Sequence, residues 1–182
     1  LFGLALAVSA AESSFANDKE IRAYQIPASA CLKEDFPIAT SLRFYGNTWS
    51  LDVGTTFTPE QGFIACPLDL TNVRAGVSSS ATKISKFRVT YRDTDARGTE
   101  PLVGVRLREV WPDASGAVLI AVTKCDFDSN THGSGSTGFT RATRACPVTL
   151  QAGRSYYFQV FLRAGTPYGS TRVDFIGIDF PA

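Results

Sequence analysis

The sequence predicts an all-β protein: an antiparallel, jelly-roll-like β-sandwich of about ten strands, stapled by disulfides. Three observations predict it. Residues 102–125 read as a hairpin, in which Val103, Val105 and Leu107 alternate with Gly104, Arg106 and Arg108. That is the period of a strand with one buried face. Its turn is Trp111-Pro112-Asp113-Ala114-Ser115-Gly116, since Pro presets φ and Gly supplies a positive one. Ala117 to Val122 then runs apolar without a break, as a strand buried on both faces would. The second observation is that no stretch carries a convincing helical period. The third is that four cysteines are spread through 182 residues, one of them, Cys125, closing this hairpin.

The remaining elements follow in order. Ile21 to Ile26 reads as an edge strand ended by Pro27, which cannot donate to a ladder. Ala28 to Pro37 is a polar loop carrying Cys31. Leu42 to Tyr45 and Thr48 to Val53 flank Gly46-Asn47, a two-residue hairpin turn, and would place Leu42, Phe44, Trp49, Leu51 and Val53 on the inner face. Phe63 to Cys66 is a short strand stopped by Pro67, and residues 71–83 are a Ser/Thr/Asn/Gly surface loop. Phe87 to Arg92 alternates cleanly, whereas Asp93 to Pro101 is polar. Asp126 to Gly138, almost free of aliphatics, is expected to be the least structured part. Tyr156 to Leu162 is an aromatic strand, and Arg172 to Phe180 alternates again.

Two echoes bear on topology. Ala65-Cys66-Pro67-Leu68-Asp69-Leu70 recurs as Ala145-Cys146-Pro147-Val148-Thr149-Leu150. It reads either as an internal duplication or as one solution reached twice, a strand that ends at Cys-Pro and turns a sheet corner. Leu150 to Tyr157 is similar to the corner before a late strand of many sandwiches, where a Tyr hydroxyl bonds back to the backbone.

Residues 1–8 have the length of a signal-peptide hydrophobic region and are too short to span a bilayer. Cleavage fits after Ala10 or Ala16, so residues 1–16 are expected to be a signal remnant and 17–182 a single sandwich domain. The competing reading is a short buried N-terminal helix. The absence of an initiator Met and of a basic stretch reads as truncation upstream. Export implies an oxidising compartment, secreted or periplasmic, and hence two disulfides. Three pairings exist; Cys31–Cys66 and Cys125–Cys146 are favoured because each closes a moderate loop. Zinc does not fit, for there is no C-x2-C knuckle and no nearby His.

The segments Ala23-Tyr24 and Cys31, Cys66-Pro67-Leu68, Phe87 to Asp93, Cys125 and the terminal alternating strand together resemble uncharacterised secreted bacterial β-sandwich proteins. The resemblance implies export and a jelly-roll-like sandwich. It carries over no functional residues.

The chemistry is bounded by what the chain lacks. A net charge of +1, with the arginines scattered along strands, argues against nucleic acid as partner. A triad would have to rest on His132, the one histidine, in a loop of small residues. Asp52, Glu60, Glu109 and Asp113 are the carboxylates available to a glycosidase, without paired spacing; on strands they are expected to be exposed. Asp126-Phe127-Asp128-Ser129-Asn130 opens like a calcium loop. Thr131 then stands in place of the loop Gly and Thr137 in place of the closing Glu, so an Asx-rich turn capping its own backbone is preferred to a site at Asp126, Asp128 and Asn130.

Trp49, Tyr45, Trp111 and Tyr168 offer flat faces for sugar stacking, the tryptophans being equally suited to a core. The functional expectation is thus a non-catalytic exported module without catalytic residues, cofactor, metal or membrane span. Its partner would be a glycan or another surface molecule. The alternatives are a self-assembling protein built by strand addition at a sheet edge, and a glycan-active hydrolase.

Overall fold

The structure, a computed structural model, describes residues 19–20, 25–34, 41–52, 60–68, 82–94, 102–133, 137–164 and 172–180. The expected signal segment, Val53, Tyr168 and most of the 71–83 loop lie outside them.

Among the described residues the fold is nearly all β. The strands are β1 (Lys19–Glu20), β2 (Gln25–Pro27), β3 (Leu32–Lys33), β4 (Leu42–Tyr45), β5 (Thr48–Asp52) and β6 (Glu60–Pro67). They continue with β7 (Thr82–Asp93), β8 (Leu102–Pro112), β9 (Leu119–Asp128), β10 (Phe139–Leu150), β11 (Ser155–Ala164) and β12 (Arg172–Asp179). One helical turn, α1 (Ser129–His132), separates β9 from β10, and a 3-10 turn, Ala28–Ala30, precedes Cys31.

The strands form two facing sheets of a jelly-roll-like sandwich. One runs β4–β5–β12–β7–β10; β2 lies beside β12 beyond β5, and β1 beside β7 beyond β12. The other runs β3–β6–β11–β8–β9. Every pairing is antiparallel except the short β1–β7 one.

The alternation in the sequence sets what each sheet buries. Phe87, Val89, Tyr91, Val173 and Phe175 face Val103, Val105, Leu107, Phe127, Phe158 and Val160, all at most 1% exposed. Burial of each such chain stabilises by roughly 1.5–3 kcal/mol. The Phe87 and Phe158 rings meet at 5.2 Å and those of Tyr91 and Phe127 at 5.4 Å, both tilted, so aromatic pairs stitch one sheet to the other. Cys31 is bonded to Cys66 on β6, and Cys125 on β9 to Cys146 on β10. The second bond ties the edge strand of one sheet to that of the other.

Four expectations are corrected. The run Ala117 to Val122 is not buried on both faces: β9 pairs only with β8, and Leu119 and Val122 are 70% and 40% exposed. The β8–β9 hairpin overhangs its neighbour β11, which begins with Ser155 opposite Val110. Beyond that point no strand among the described residues pairs with β8 on that side. Cys146-Pro147 does not end its strand either, because β10 absorbs the pair as a bulge between Ala145 and Val148 and continues. Residues 126–133 are built rather than loose: Asp128 Oδ1 accepts from the N–H groups of Asn130 and Thr131 and caps α1. Finally, Glu109 is not an exposed sheet residue. It is 4% exposed, because it keeps the inward parity of Val103, Val105 and Leu107.

Candidate functional site

The outward side chains of the β4–β5–β12–β7–β10 sheet form a surface on which both described clefts open. Strand register lines up one row across five strands: Arg43, Ser50, Asp174, Arg92 and Phe139. Each alternates with a residue of the inner face, so one pattern builds the core and this surface together. Asp174 is fully buried and pairs with both Arg92 and Arg172, the latter through Nε at 2.9 Å. A carboxylate so placed needs its partners, since burying it alone would cost several kcal/mol. The Arg92 guanidinium also lies 4.9 Å from the centre of the Phe139 ring. Further along, Arg88 holds Asp179 through two nitrogens.

Two clefts open on this face. The larger, about 480 Å³, is lined by Ser41, Arg43, Tyr45, Ser50, Asp52 and Arg172. Tyr45 stands at the end of β4 and is 58% exposed. The hydroxyl of Tyr45 accepts from Arg43 at 3.4 Å, which holds the guanidinium pKa above its ordinary value. The chain therefore sets a flat apolar ring beside a planar cation, a hydroxyl and a carboxylate. The smaller cleft, about 170 Å³, is lined by Gln25, Ile26, Pro27, Thr90, Arg141, Ile176, Gly177, Ile178 and Asp179.

The aromatics singled out in the sequence do not meet in one groove. Tyr45 lines the larger cleft, but Trp49 lies on the opposite face of the same hairpin, cross-strand from Phe44. The Trp49 indole Nε1 donates to the Ala28 carbonyl at 3.0 Å, and its ring packs partly buried against the core. Trp111 sits on the β8–β9 hairpin with the Arg154 guanidinium 3.7 Å from its ring centre. Of the calcium-like trio, Asp128 spends a carboxylate oxygen on the α1 cap, and Asp126 is 3.9 Å from Arg144. Among the described residues no group of three or more His, Cys, Asp or Glu is placed to hold a metal ion. His132 ends α1, its Nδ1 2.9 Å from the Thr131 hydroxyl.

Two buried polar clusters lie apart from these clefts. The first contains the corner at which a Tyr hydroxyl was expected to bond back to the backbone, while its Glu109 and Lys124 partners, and all of the second, escaped the sequence reading. Tyr156 accepts from the Gln151 N–H at 2.8 Å and donates to Glu109 Oε1 at 2.7 Å, while Lys124 Nζ reaches Glu109 Oε2 at 3.1 Å. Burial pushes the Glu109 pKa up, but the Tyr156 and Lys124 hydrogen bonds outweigh it and leave the carboxyl below its ordinary value. In the second cluster the Ser129 hydroxyl donates to buried Asp93 and accepts from the Val103 N–H at 2.9 Å. The parity of Glu109 with Val103, Val105 and Leu107 was the signal that could have found the first. The second joins residues 36 apart in sequence and leaves no local pattern.

No protein-family model matches the chain, and no curated protein does. Solved structures similar to it include a β-1,3-glucan-binding CBM6 from Bacillus halodurans, at 14% identity and TM-score 0.40, over 90% of this chain and 98% of that one. Another comprises the CBM22-1–GH10 modules of the Clostridium thermocellum N-terminal endo-1,4-β-D-xylanase 10B, complexed with xylohexaose. Identity there is 9% and the TM-score 0.41, over 91% of this chain but only 29% of that one. Likenesses this distant bear on neither ligand nor residue roles.

Proposed function

We propose that the chain is a non-catalytic glycan-binding module whose binding surface is the outer face of the β4–β5–β12–β7–β10 sheet. One observation carries this reading: exposed Tyr45 borders an open cleft with Arg43, Ser50, Asp52 and Arg172 around it. A pyranose presents an apolar face of C–H groups and a rim of hydroxyls. A flat ring takes the first, and planar charged side chains take the second in pairs of hydrogen bonds. Among the described residues lining the cleft, Asp52 is the one carboxylate, whereas glycoside hydrolysis ordinarily needs two flanking the bond. That supports binding over hydrolysis. The two disulfides support an oxidising compartment, so we place the module outside the cytoplasm, with residues 1–16 as its export signal and 17–182 as its one domain.

A glycan array followed by titration calorimetry tests it. Tyr45→Ala should weaken the binding found by about tenfold or more, as truncation of a stacking Tyr at the centre of a contact does. Unchanged affinity would remove the cleft from the site. No binding to any glycan would end the reading.

Strand addition is the second reading, favoured by β9. It is a sheet edge with Leu119, Ile120 and Val122 exposed, away from the Lys124 bulge and the Cys125–Cys146 bond. Light scattering at rising concentration should then show association that Ile120→Lys abolishes. A monomer at all concentrations would exclude it.

A further inference from the structure

We propose that the glycan this face takes is acidic, a chain of sugars carrying spaced carboxylates; the inference rests on the binding reading above and names its substrate class. Its observation is a segregation of charge. By strand parity and register, the outward face carries Arg43, Lys83, Lys86, Arg88, Arg92, Arg141 and Arg172. On the same five strands, β4, β5, β12, β7 and β10, three carboxylates stand against these seven cations: Asp52, Asp174 and Asp179. The described residues of these five strands thus turn outward an excess of four positive charges, in a chain whose net charge is +1. A single-sign field over an open face raises the local concentration of the opposite charge.

Pairing sharpens the point. Asp174 is engaged by Arg92 and Arg172, and Asp179 by Arg88. Arg43 and Arg141 have no carboxylate partner among the described residues; Arg43 bonds only the Tyr45 hydroxyl. Each lines one of the two clefts, Arg43 the larger and Arg141 the smaller. Four strand spacings separate β4 from β10, which puts the two arginines roughly 20 Å apart across the face. A guanidinium fork matches a carboxylate with two parallel hydrogen bonds. Two such forks, with paired and near-neutral surface between them, suit an oligosaccharide with charges at intervals. A densely sulfated chain would bring its remaining charges against Asp52, Asp174 and Asp179. Stacking on Tyr45 beside Arg43 would hold one acidic sugar by ring and carboxylate together.

The test titrates the full chain with four probes: oligogalacturonate, the same oligosaccharide with its carboxyls reduced to alcohols, dextran sulfate, and single-stranded DNA. We expect oligogalacturonate to bind, with affinity falling as salt rises, and the reduced form to bind at least tenfold more weakly. Arg43→Ala and Arg141→Ala should each weaken oligogalacturonate by roughly tenfold to a hundredfold, the effect of losing a charge-assisted hydrogen-bonded contact. Their melting temperatures should match wild type, since neither side chain is in a described ion pair. Equal binding of the reduced oligosaccharide, or binding only of neutral glycans in the array above, overturns the acidic inference and leaves the module reading standing. Dextran sulfate or DNA binding as tightly as oligogalacturonate also overturns it, showing an unselective cationic surface. Silence toward every glycan overturns both.

Discussion

Tyr156→Phe isolates a buried network that joins the β10–β11 corner to β8 and β9. The Tyr156 hydroxyl is buried against Glu109 and fixes the turn by accepting from Gln151. Removing it leaves Glu109 buried with Lys124 as its remaining named partner. Loss of a hydrogen bond to a charged group should cost about 1.5–3 kcal/mol at neutral pH. Alkaline pH gives a second, independent reading. Burial, and then the Glu109 carboxylate, raise the phenol from 10.0 to about 12, against the downward pull of the Gln151 N–H. An acid whose folded pKa lies above its unfolded value contributes fully below the unfolded pKa and loses that contribution as pH climbs through the folded one. At about 1.4 kcal/mol per pH unit, wild type should lose roughly 2–3 kcal/mol between pH 10 and 12 from this group. Urea unfolding at pH 7, 9, 11 and 12, read by tryptophan fluorescence in both proteins, measures it. The stability gap between wild type and Tyr156→Phe should narrow from pH 10 upward. A gap that is absent at pH 7, or constant to pH 12, would refute the network as drawn.

Three further outcomes are expected. Val105→Asp buries an unpaired charge at the middle of β8 and should abolish cooperative folding; a soluble variant with a sharp melting transition would show that the buried face has been misassigned. Replacing Cys125 and Cys146 by Ala opens a loop of 21-residue separation and should lower stability by about 3 kcal/mol in urea, less any strain released; an unchanged midpoint would contradict this. Asp128→Ala removes the α1 cap and should cost about 1 kcal/mol equally in calcium and in chelator. A melting temperature that rises with calcium in wild type and not in the variant would instead make Asp128 a ligand.

Local periodicity carried most of the architecture. Alternation alone sorts Phe87, Val89 and Tyr91 inward and Arg88 and Arg92 outward, and Gly46, at a φ of 59°, makes the β4–β5 turn that Gly46-Asn47 promised. It failed where burial depends on which strands are neighbours. Leu119 to Val122 is as apolar as a central strand, yet the run lies at an edge because β9 pairs only with β8, and it extends past Val110, where β11 begins. No one-dimensional pattern contains that offset. The candidate site was legible in fragments. Tyr45 stood out as an aromatic, but Arg43, Asp52 and Arg172 gain meaning only from a register linking residues more than a hundred positions apart. Scattered arginines looked like ordinary solvated sheet for the same reason.

That register also couples the fold to the surface it presents. Leu42 opposes Leu51 in the core while Arg43 opposes Ser50 on the outer face, so one hairpin contributes alternately to packing and to the cleft. A slip of one residue would carry Tyr45 and Arg43 inward and expose Leu42 and Leu51. The hydrophobic penalty against that slip therefore positions Tyr45 beside the larger cleft as well as sealing the core. β12 anchors the other wall: Val173 and Phe175 are locked in the core on either side of Asp174, which in turn fixes Arg92 and Arg172. Side chains held this way lose little further freedom when a ligand arrives, which lowers the entropic cost of binding. A face built on strands with paired arginines is accordingly preorganised, and specificity would fall to the cleft-lining arginines left without carboxylate partners among the described residues, Arg43 and Arg141.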